Sequence, residues 1–168
     1  LGVAPDEAYP ALLGARLHAA GYRHRVVNAG VSGDTTAGGL RRVDWALRLT
    51  PDIVILALGA NDGLRGQDLA GVRANLDQMV ERFQQSGARV LLAGMRLPPN
   101  YGRPYAEEFG RMYAAVARTR GLPFMPFLLD GVGGNPRLNQ PDGIHPTAEG
   151  HRVIVERLWP HLRPLLTR

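Results

Sequence analysis

Apolar residues in this chain follow two alternating patterns, one typical of buried strands and one typical of amphipathic helices. Residues 53–58 and 90–95 are apolar throughout, which is the pattern of strands buried on both faces. Between them, residues 68–86 carry apolar side chains at helical spacing, with Asp68 as the predicted N-cap. Helices that alternate with fully apolar strands predict an α/β fold, a doubly wound parallel sheet with helices on both faces.

The same patterns predict the remaining elements. A short strand is predicted at 25–29, and a proline-interrupted strand at 122–127 is expected at a sheet edge, because proline cannot donate to a strand ladder. Trp45 and Trp159 fall on apolar helix faces and are predicted to lie in the core. The other helices are predicted over residues 9–20, 37–49, 104–120 and 147–162.

Polar residues cluster directly after the predicted strands. These clusters are residues 32–34, Asn61 with Asp62, Arg96, and a loop that contains Asp142 and His145. Ligands of parallel α/β sheets bind beyond the carboxyl ends of the strands, so we expect the clusters to gather along one rim of the sheet. A functional site is therefore predicted at that rim.

Residues 142–146 have the sequence Asp-Gly-Ile-His-Pro, in which an Asp three residues before a His can orient it as a catalytic base. The Asp142 carboxylate can hold one ring nitrogen of His145 and leave the other to accept a proton from a nucleophile. Pro146 is predicted in the first turn of the last helix, where its missing N–H costs nothing. Taken alone, the segment is more typical of an ordinary turn with a capping Asp and a surface His. The polar clusters in the rest of the chain favour a catalytic role for it.

Gly33 and Asn61 are candidates for an oxyanion hole. Gly33 has no side chain, so its backbone N–H can approach a ligand oxygen closely, and Asn61 offers an amide donor just past a buried strand. Each residue also has a structural interpretation, plain turn geometry for Gly33 and an Asx-turn for Asn61.

The nucleophile is not evident among these residues. The chain contains two serines, Ser32 and Ser86, and no Gly-x-Ser-x-Gly motif. Ser86 ends a predicted surface helix, and Ser32 adjoins the proposed oxyanion donor Gly33, where its hydroxyl is expected to brace the loop. The residues alone therefore indicate most, but not all, of a serine-hydrolase site.

Four segments together resemble the SGNH (GDSL-type) hydrolases, and in particular their bacterial thioesterase, lysophospholipase and arylesterase branch. They are Val-Ser-Gly-Asp-Thr at 31–35, Gly-Ala-Asn-Asp-Gly-Leu-Arg-Gly at 59–66, Arg-Leu-Pro-Pro-Asn-Tyr-Gly at 96–102, and Asp-Gly-Ile-His-Pro at 142–146. The resemblance covers essentially the whole chain and implies the flavodoxin-like three-layer α/β/α fold of that family.

The resemblance also implies an activity and assigns residues to it. Enzymes of this family cleave carboxylic esters and thioesters through an acyl-serine intermediate, without a cofactor. By resemblance, His145 is the general base, Asp142 orients it, and Gly33 and Asn61 are oxyanion-hole donors. The substrate-binding positions that it assigns are Asp62, Gly63, Leu64, Met95 and Pro98. A metal site of Asp142, His145 and His151 is disfavoured, because their spacing matches no common ligand set.

One family motif is absent. The Gly-Asp-Ser-Leu block, which supplies the nucleophilic serine after the first strand, does not occur in the chain. We therefore expect that strand and serine upstream of Leu1, and residues 1–168 to be a single SGNH-hydrolase-like domain without them. An inactive relative that binds acyl or glycan esters is the main alternative. A flavodoxin-like nucleotide binder is more distant, because no Gly-rich phosphate loop follows a strand.

Composition narrows the remaining possibilities. The chain has no cysteine, and all 20 basic residues are arginine, which excludes a thiolate nucleophile, a Schiff-base lysine and a P-loop. The arginines are scattered among acidic residues, so nucleic acid is not an expected partner. No apolar run is long enough for stable membrane insertion. A small-molecule ester or thioester is the predicted partner, oligomeric state stays open, and only the resemblance suggests a periplasmic or secreted location.

Overall fold

The computed structural model of the chain describes residues 2–167 and contains a three-stranded parallel sheet. Strand β1 is Ile53–Leu56, β2 is Arg89–Ala93 and β3 is Phe124–Met125, in the order β1-β2-β3. Ile53 pairs with Arg89, and Leu92 pairs with Phe124. The predicted α/β fold class is therefore confirmed, and so is the edge position of the proline-interrupted strand, because β3 is the last strand in the order.

Helices connect and follow these strands. They are α1 Tyr9–Ala19, α2 Thr36–Arg41, α3 Val43–Leu47, α4 Ala60–Leu64, α5 Leu69–Gln85, α6 Arg103–Arg120 and α7 Ala148–Leu162. Short 3₁₀ turns cover Pro5–Glu7, Pro99–Tyr101 and Arg163–Leu165. Within the described range, no helix is long and apolar enough to cross a membrane.

Internal contacts divide the chain into two compact units, residues 33–128 and residues 1–32 with 129–168. In the 33–128 unit, α5 and α6 pack against the sheet and against each other. The predicted N-cap is confirmed, since the Asp68 carboxylate accepts the N–H of Gly71 at 2.9 Å. In the second unit, α1 packs on α7, and the buried residues of the two helices include Leu13, Leu17, Ile154 and Leu158. The single-domain expectation stays a prediction.

Several predicted elements differ from the structure. Residues 25–29 form no strand in the part of the chain that the structure describes, and the Val27 side chain is 44% exposed. The predicted helix 37–49 is two helices, broken at Arg42, which adopts a turn conformation (φ −100°, ψ 2°). Gly38 and Gly39 weaken the first of them. Residues 60–64, expected to be loop, form helix α4.

Three residue placements were also wrong. Trp45 is 41% exposed, because in the five-residue helix α3 it is Val43 that turns inward. Trp159 is only half-buried, with the Arg16 guanidinium 4.5 Å from its ring centroid. Pro146 precedes the last helix instead of lying in its first turn. The N-cap is Thr147, whose hydroxyl accepts the N–H of Gly150.

Helix α6 offers a matched pair of tyrosines for a stability test. The Tyr113 hydroxyl donates to the Leu58 carbonyl at 2.9 Å in the core, and burial raises the pKa of this phenol, which keeps it protonated. The Tyr105 hydroxyl donates to the Gln67 carbonyl at 2.7 Å at the surface. Tyr113→Phe leaves a buried carbonyl without its donor and should cost about 1–3 kcal/mol.

Tyr105→Phe is the control, and should stay within about 0.5 kcal/mol of wild type because water replaces the lost donor. Urea unfolding of the two variants and wild type measures the difference. Equal losses in both variants would contradict the assigned importance of the Tyr113 bond.

Candidate active site

Helix α4 starts where β1 ends, and a close approach to α6 holds it there. Gly59, the N-cap of α4, has a φ of +110°, and a Cβ at this position would lie 2.1 Å from the Tyr113 hydroxyl oxygen. A Cβ on Gly63 would lie 2.7 Å from Phe109 and 2.8 Å from Leu97. Side chains are excluded at both ends of α4, so the helix sits directly on the aromatic residues of α6.

Asn61 lies in the first turn of α4 and points its amide toward the preceding polar loop. Its Nδ2 donates to the backbone carbonyl of Asp34 at 2.9 Å, and the residue is half-buried. An amide nitrogen carries two hydrogens, so this bond orients the group and leaves a second N–H for a ligand.

Gly33 stands at the exposed turn of the same polar loop. Its φ of +76° is in the left-handed region, which glycine adopts without strain. Its carbonyl accepts Nη2 of Arg65 at 3.1 Å, so the loop is tied to the segment that follows α4. The structure thus brings the loop of Gly33 and the amide of Asn61 together through direct hydrogen bonds.

Asp34 gives this loop its shape, a role that the sequence analysis did not assign. Its carboxylate accepts the N–H of Thr35 at 3.0 Å and is held by Nε and Nη2 of Arg42 at 3.1 and 2.5 Å. A Cβ on Gly38 would lie 1.7 Å from an Asp34 carboxylate oxygen. Gly38, one of the two glycines that weaken helix α2, therefore leaves room for the Asp34 side chain.

Asp62, a predicted substrate-binding residue, is fully buried. Its Oδ2 accepts the N–H of Thr36 at 2.9 Å, and its Oδ1 accepts the Thr36 hydroxyl at 2.6 Å. The Thr36 hydroxyl in turn accepts Nδ2 of Asn75 at 3.1 Å. A carboxylate without exposed surface does not contact a ligand, so this placement gives Asp62 an internal role.

The other predicted substrate-binding residues lie around α4 and the end of β2. Gly63 and Met95 are buried, whereas Leu64 and Pro98 are half-buried. An open groove of about 750 Å³ begins beside them at Arg96 and Leu97 and runs along α6. Its walls include Ala106, Gly110, Phe124 and Pro126. Leu97 lines this groove and also lies close to Gly63 of α4.

In the second unit, Asp142 and His145 form a self-contained pair. Oδ2 of Asp142 lies 2.7 Å from Nδ1 of His145, and Oδ1 accepts the backbone N–H groups of Ile144 and His145, each at 3.0 Å. The backbone N–H of His145, its imidazole, and the N–H of Ile144 lower the pKa of Asp142 to about 2. An ionised carboxylate at this distance makes Nδ1 the protonated nitrogen and leaves Nε2 free to accept a proton.

The two serines have different surroundings. The Ser86 hydroxyl donates to the Phe83 carbonyl at 2.7 Å at the end of α5, which is a structural contact. Ser32 is exposed and precedes Gly33.

Comparison with known proteins adds the following similarities. Residues 1–153 match the GDSL-like Lipase/Acylhydrolase family. The chain is 47% identical over 167 residues to the esterase TesA of Pseudomonas aeruginosa, a match that covers 99% of this chain and 83% of the relative. It is 37% identical over 160 residues to the thioesterase 1/protease 1/lysophospholipase L1 of Escherichia coli strain K12, with 95% and 76% covered. The crystal structure of TesA superposes with a TM-score of 0.96, at 47% identity, and covers 99% of this chain and 93% of that one.

The low pKa of Asp142 has a testable origin. Its folded-state pKa of about 2 is below the usual value of roughly 3.9, so the stabilisation is present above about pH 4 and is lost as the pH falls toward 2. His145→Ala removes the imidazole contact but keeps both backbone N–H donors. We expect the pKa of Asp142 to rise in this variant without reaching the usual value.

Carboxyl ¹³C NMR titrations of wild type and His145→Ala measure this change. A wild-type pKa of Asp142 near 3.9 would contradict the geometry, because the three hydrogen bonds would then bring the carboxylate no net stabilisation.

Proposed function

Because the chain belongs to the GDSL-like lipase/acylhydrolase family, it is a carboxylic ester and thioester hydrolase, and we propose that Asp142, His145, Gly33 and Asn61 perform its reaction. The observation that carries the proposal is the 2.7 Å contact between Asp142 and His145, with Nε2 left unblocked by that contact. The inactive, ligand-binding alternative has no support from the comparisons.

In the first half of the proposed reaction, Nε2 of His145 takes the proton of a serine hydroxyl. The serine oxygen attacks the carbonyl carbon of the substrate, and the carbonyl π electrons move onto the carbonyl oxygen. The N–H of Gly33 and the second amide hydrogen of Asn61 donate to this oxyanion. Such preorganised donors stabilise charge that develops only in the transition state.

Collapse of the tetrahedral intermediate breaks the C–O or C–S bond of the substrate. The leaving alcohol or thiol takes the proton from Nε2, which leaves an acyl-serine. In the second half, His145 takes a proton from water, the resulting hydroxide attacks the acyl carbon, and the serine leaves with that proton. The products are a carboxylic acid and the free serine.

For the substrate we propose a small-molecule ester or thioester with an apolar acyl group. The groove that begins at Leu97 has mostly apolar walls, of which Phe124 and Pro126 are examples, and suits such a group. Gly63, Leu64, Met95 and Pro98 do not line this groove, and we retain them as proposed substrate-binding positions from the family resemblance. Asp62 is reassigned from substrate contact to internal support, because it is fully buried.

Nucleic acid is not a proposed partner. Many arginines pair with acidic side chains of the same molecule, as Arg120 does with Asp77 and Glu81. These pairs leave less free positive charge than the composition implies.

Replacing the base is the direct test of the proposal. In the full-length protein, His145→Ala should reduce kcat for p-nitrophenyl butyrate by about three or more orders of magnitude, because no other group then accepts the serine proton. His18→Ala, at an exposed position on α1, is the control and should keep wild-type kcat. Near-wild-type activity of His145→Ala would exclude the proposed role.

The pH profile gives a second readout. Because the reaction needs the neutral imidazole of His145, wild-type kcat/KM should rise from acid toward neutral and alkaline pH. Asp142 remains ionised throughout this range, so it contributes no inflection. A maximum in acid would exclude His145 as the base.

The position of the attacking serine is open to chemical labelling. We expect a fluorophosphonate to form one adduct on the protein, at a serine other than Ser32 and Ser86. Intact mass and peptide mapping locate the adduct, and Ser86→Ala is a control because its hydroxyl already serves a structural bond. An adduct on Ser32 would overturn this assignment, and the absence of any adduct would contradict a serine mechanism.

A further inference from the structure

Asp62 is a buried carboxylate whose two oxygens bind one residue. Oδ2 accepts the backbone N–H of Thr36, at the first position of α2, and Oδ1 accepts its side-chain hydroxyl. Both residues are fully buried. A buried carboxyl group that loses water is unfavourable unless hydrogen bonds replace that water. Breaking either bond between Thr36 and Asp62 therefore costs free energy.

The bond pair connects two segments that are far apart in the sequence. Asp62 is on α4, next to Asn61, and Thr36 is three residues after Gly33. Asn75 on α5 reaches the connection as well, since its Nδ2 donates to the Thr36 hydroxyl. That hydroxyl therefore has one acceptor and one donor in fixed directions, which determines its rotamer.

A second connection runs alongside the first. Asn61 donates to the carbonyl of Asp34, and the carboxylate of Asp34 is held by Arg42. Adjacent residues of α4 thus bind positions 34 and 36 of the loop. The bond from Asn61 to the Asp34 carbonyl orients the Asn61 amide itself. The bonds from Thr36 to Asp62 hold the loop that carries Gly33, and they involve neither the Gly33 N–H nor the Asn61 amide.

The separation of the proposed donors is chemically critical. An oxyanion hole works when its donors lie within about 2.7–3.1 Å of one point, and a displacement of about 1 Å can cost two orders of magnitude in rate. A flexible loop would have to be ordered in each catalytic cycle, whereas a loop already bonded to α4 meets the developing charge without rearrangement.

We propose that Asp62, through Thr36 and with Asn75, is a positioning residue that sets the distance between the Gly33 N–H and the Asn61 amide before substrate binds. This inference rests on the proposed function of Gly33 and Asn61. It gives the buried carboxylate a role in the rate of reaction, in addition to its contribution to folding.

The test compares Thr36→Val with Thr36→Ser in the full-length protein, with p-nitrophenyl butyrate as the substrate. Valine keeps the shape of threonine but leaves Oδ1 of Asp62 without its donor, whereas serine retains the hydroxyl. We expect Thr36→Val to lower kcat about 10- to 100-fold with KM changed less than about threefold, since the ground state depends little on the oxyanion donors. Thr36→Ser should retain kcat within about threefold.

A stability control separates positioning from destabilisation. Val80→Ala creates a cavity at a fully buried position of α5 that the reaction does not use. Melting temperatures of all variants are measured, and kinetics are recorded well below the lowest of them. We expect Val80→Ala to lower the melting temperature at wild-type kcat. Equal kcat losses in Val80→Ala and Thr36→Val, or wild-type kcat in Thr36→Val, would overturn the proposal.

Asn61→Ala, measured in parallel, distinguishes the two levels of inference. If Asn61→Ala loses kcat and Thr36→Val does not, the positioning role fails and the proposed function stands. If Asn61→Ala keeps wild-type kcat, the oxyanion assignment fails and the positioning role fails with it.

Asn75→Ala replaces Thr36→Val in the same comparison if the latter does not fold. It removes only the donor to the Thr36 hydroxyl, so kcat should fall about three- to tenfold. An unchanged kcat would count against the proposal.

Discussion

The close approach of helix α4 to helix α6 is the constraint on which the positions of Asn61 and of the Gly33 loop depend. The N-cap Gly59 and the penultimate residue Gly63 of α4 are glycines, where a Cβ would overlap Tyr113 or Phe109. With those side chains absent, a five-residue helix that is too short to be stable alone is supported by packing. Its intervening residues, Asn61 and Asp62, then face the loop of Gly33 and bind its backbone. The absence of side chains at Gly59 and Gly63 thus allows the position of α4 that brings Asn61 and Asp62 to the loop.

The sequence predicted the framework well, because the framework follows from local patterns. Continuous apolar runs located β1 and β2, and helical spacing identified the buried face of α5. The sequence-based prediction failed where contacts with another segment of the chain determine the local structure. Residues 25–29 have a strand composition but form no strand in the described structure, since strand formation depends on neighbouring segments as well as on composition. In the same way, Trp45 lies on an apolar face of a helix that has little core to cover.

The candidate site was predictable to a different degree in its two parts. Asp142 and His145 are three residues apart, so their contact is local and can be derived from spacing. The roles of Asp34, Thr36 and Asn75 could not be derived from spacing. Thr36 and Asn75 depend on partners at least 26 positions away in the sequence. Asp34 depends on the close packing of Gly38 against its carboxylate. An unusual density of glycine and threonine after residue 32 was the available signal, and it indicated a tight loop without naming its partners.

The glycines that flank α4 have a consequence for how such an enzyme can diversify. Positions 59 and 63 admit no larger residue, and the polar residues between them are committed to the loop, so this helix offers evolution little freedom. The groove beyond Leu97 is open, and residues such as Ala106 and Gly110 can enlarge without displacing backbone. If the groove takes the acyl group as proposed, substitutions along it can change its shape while the packing of α4 on α6 stays as it is.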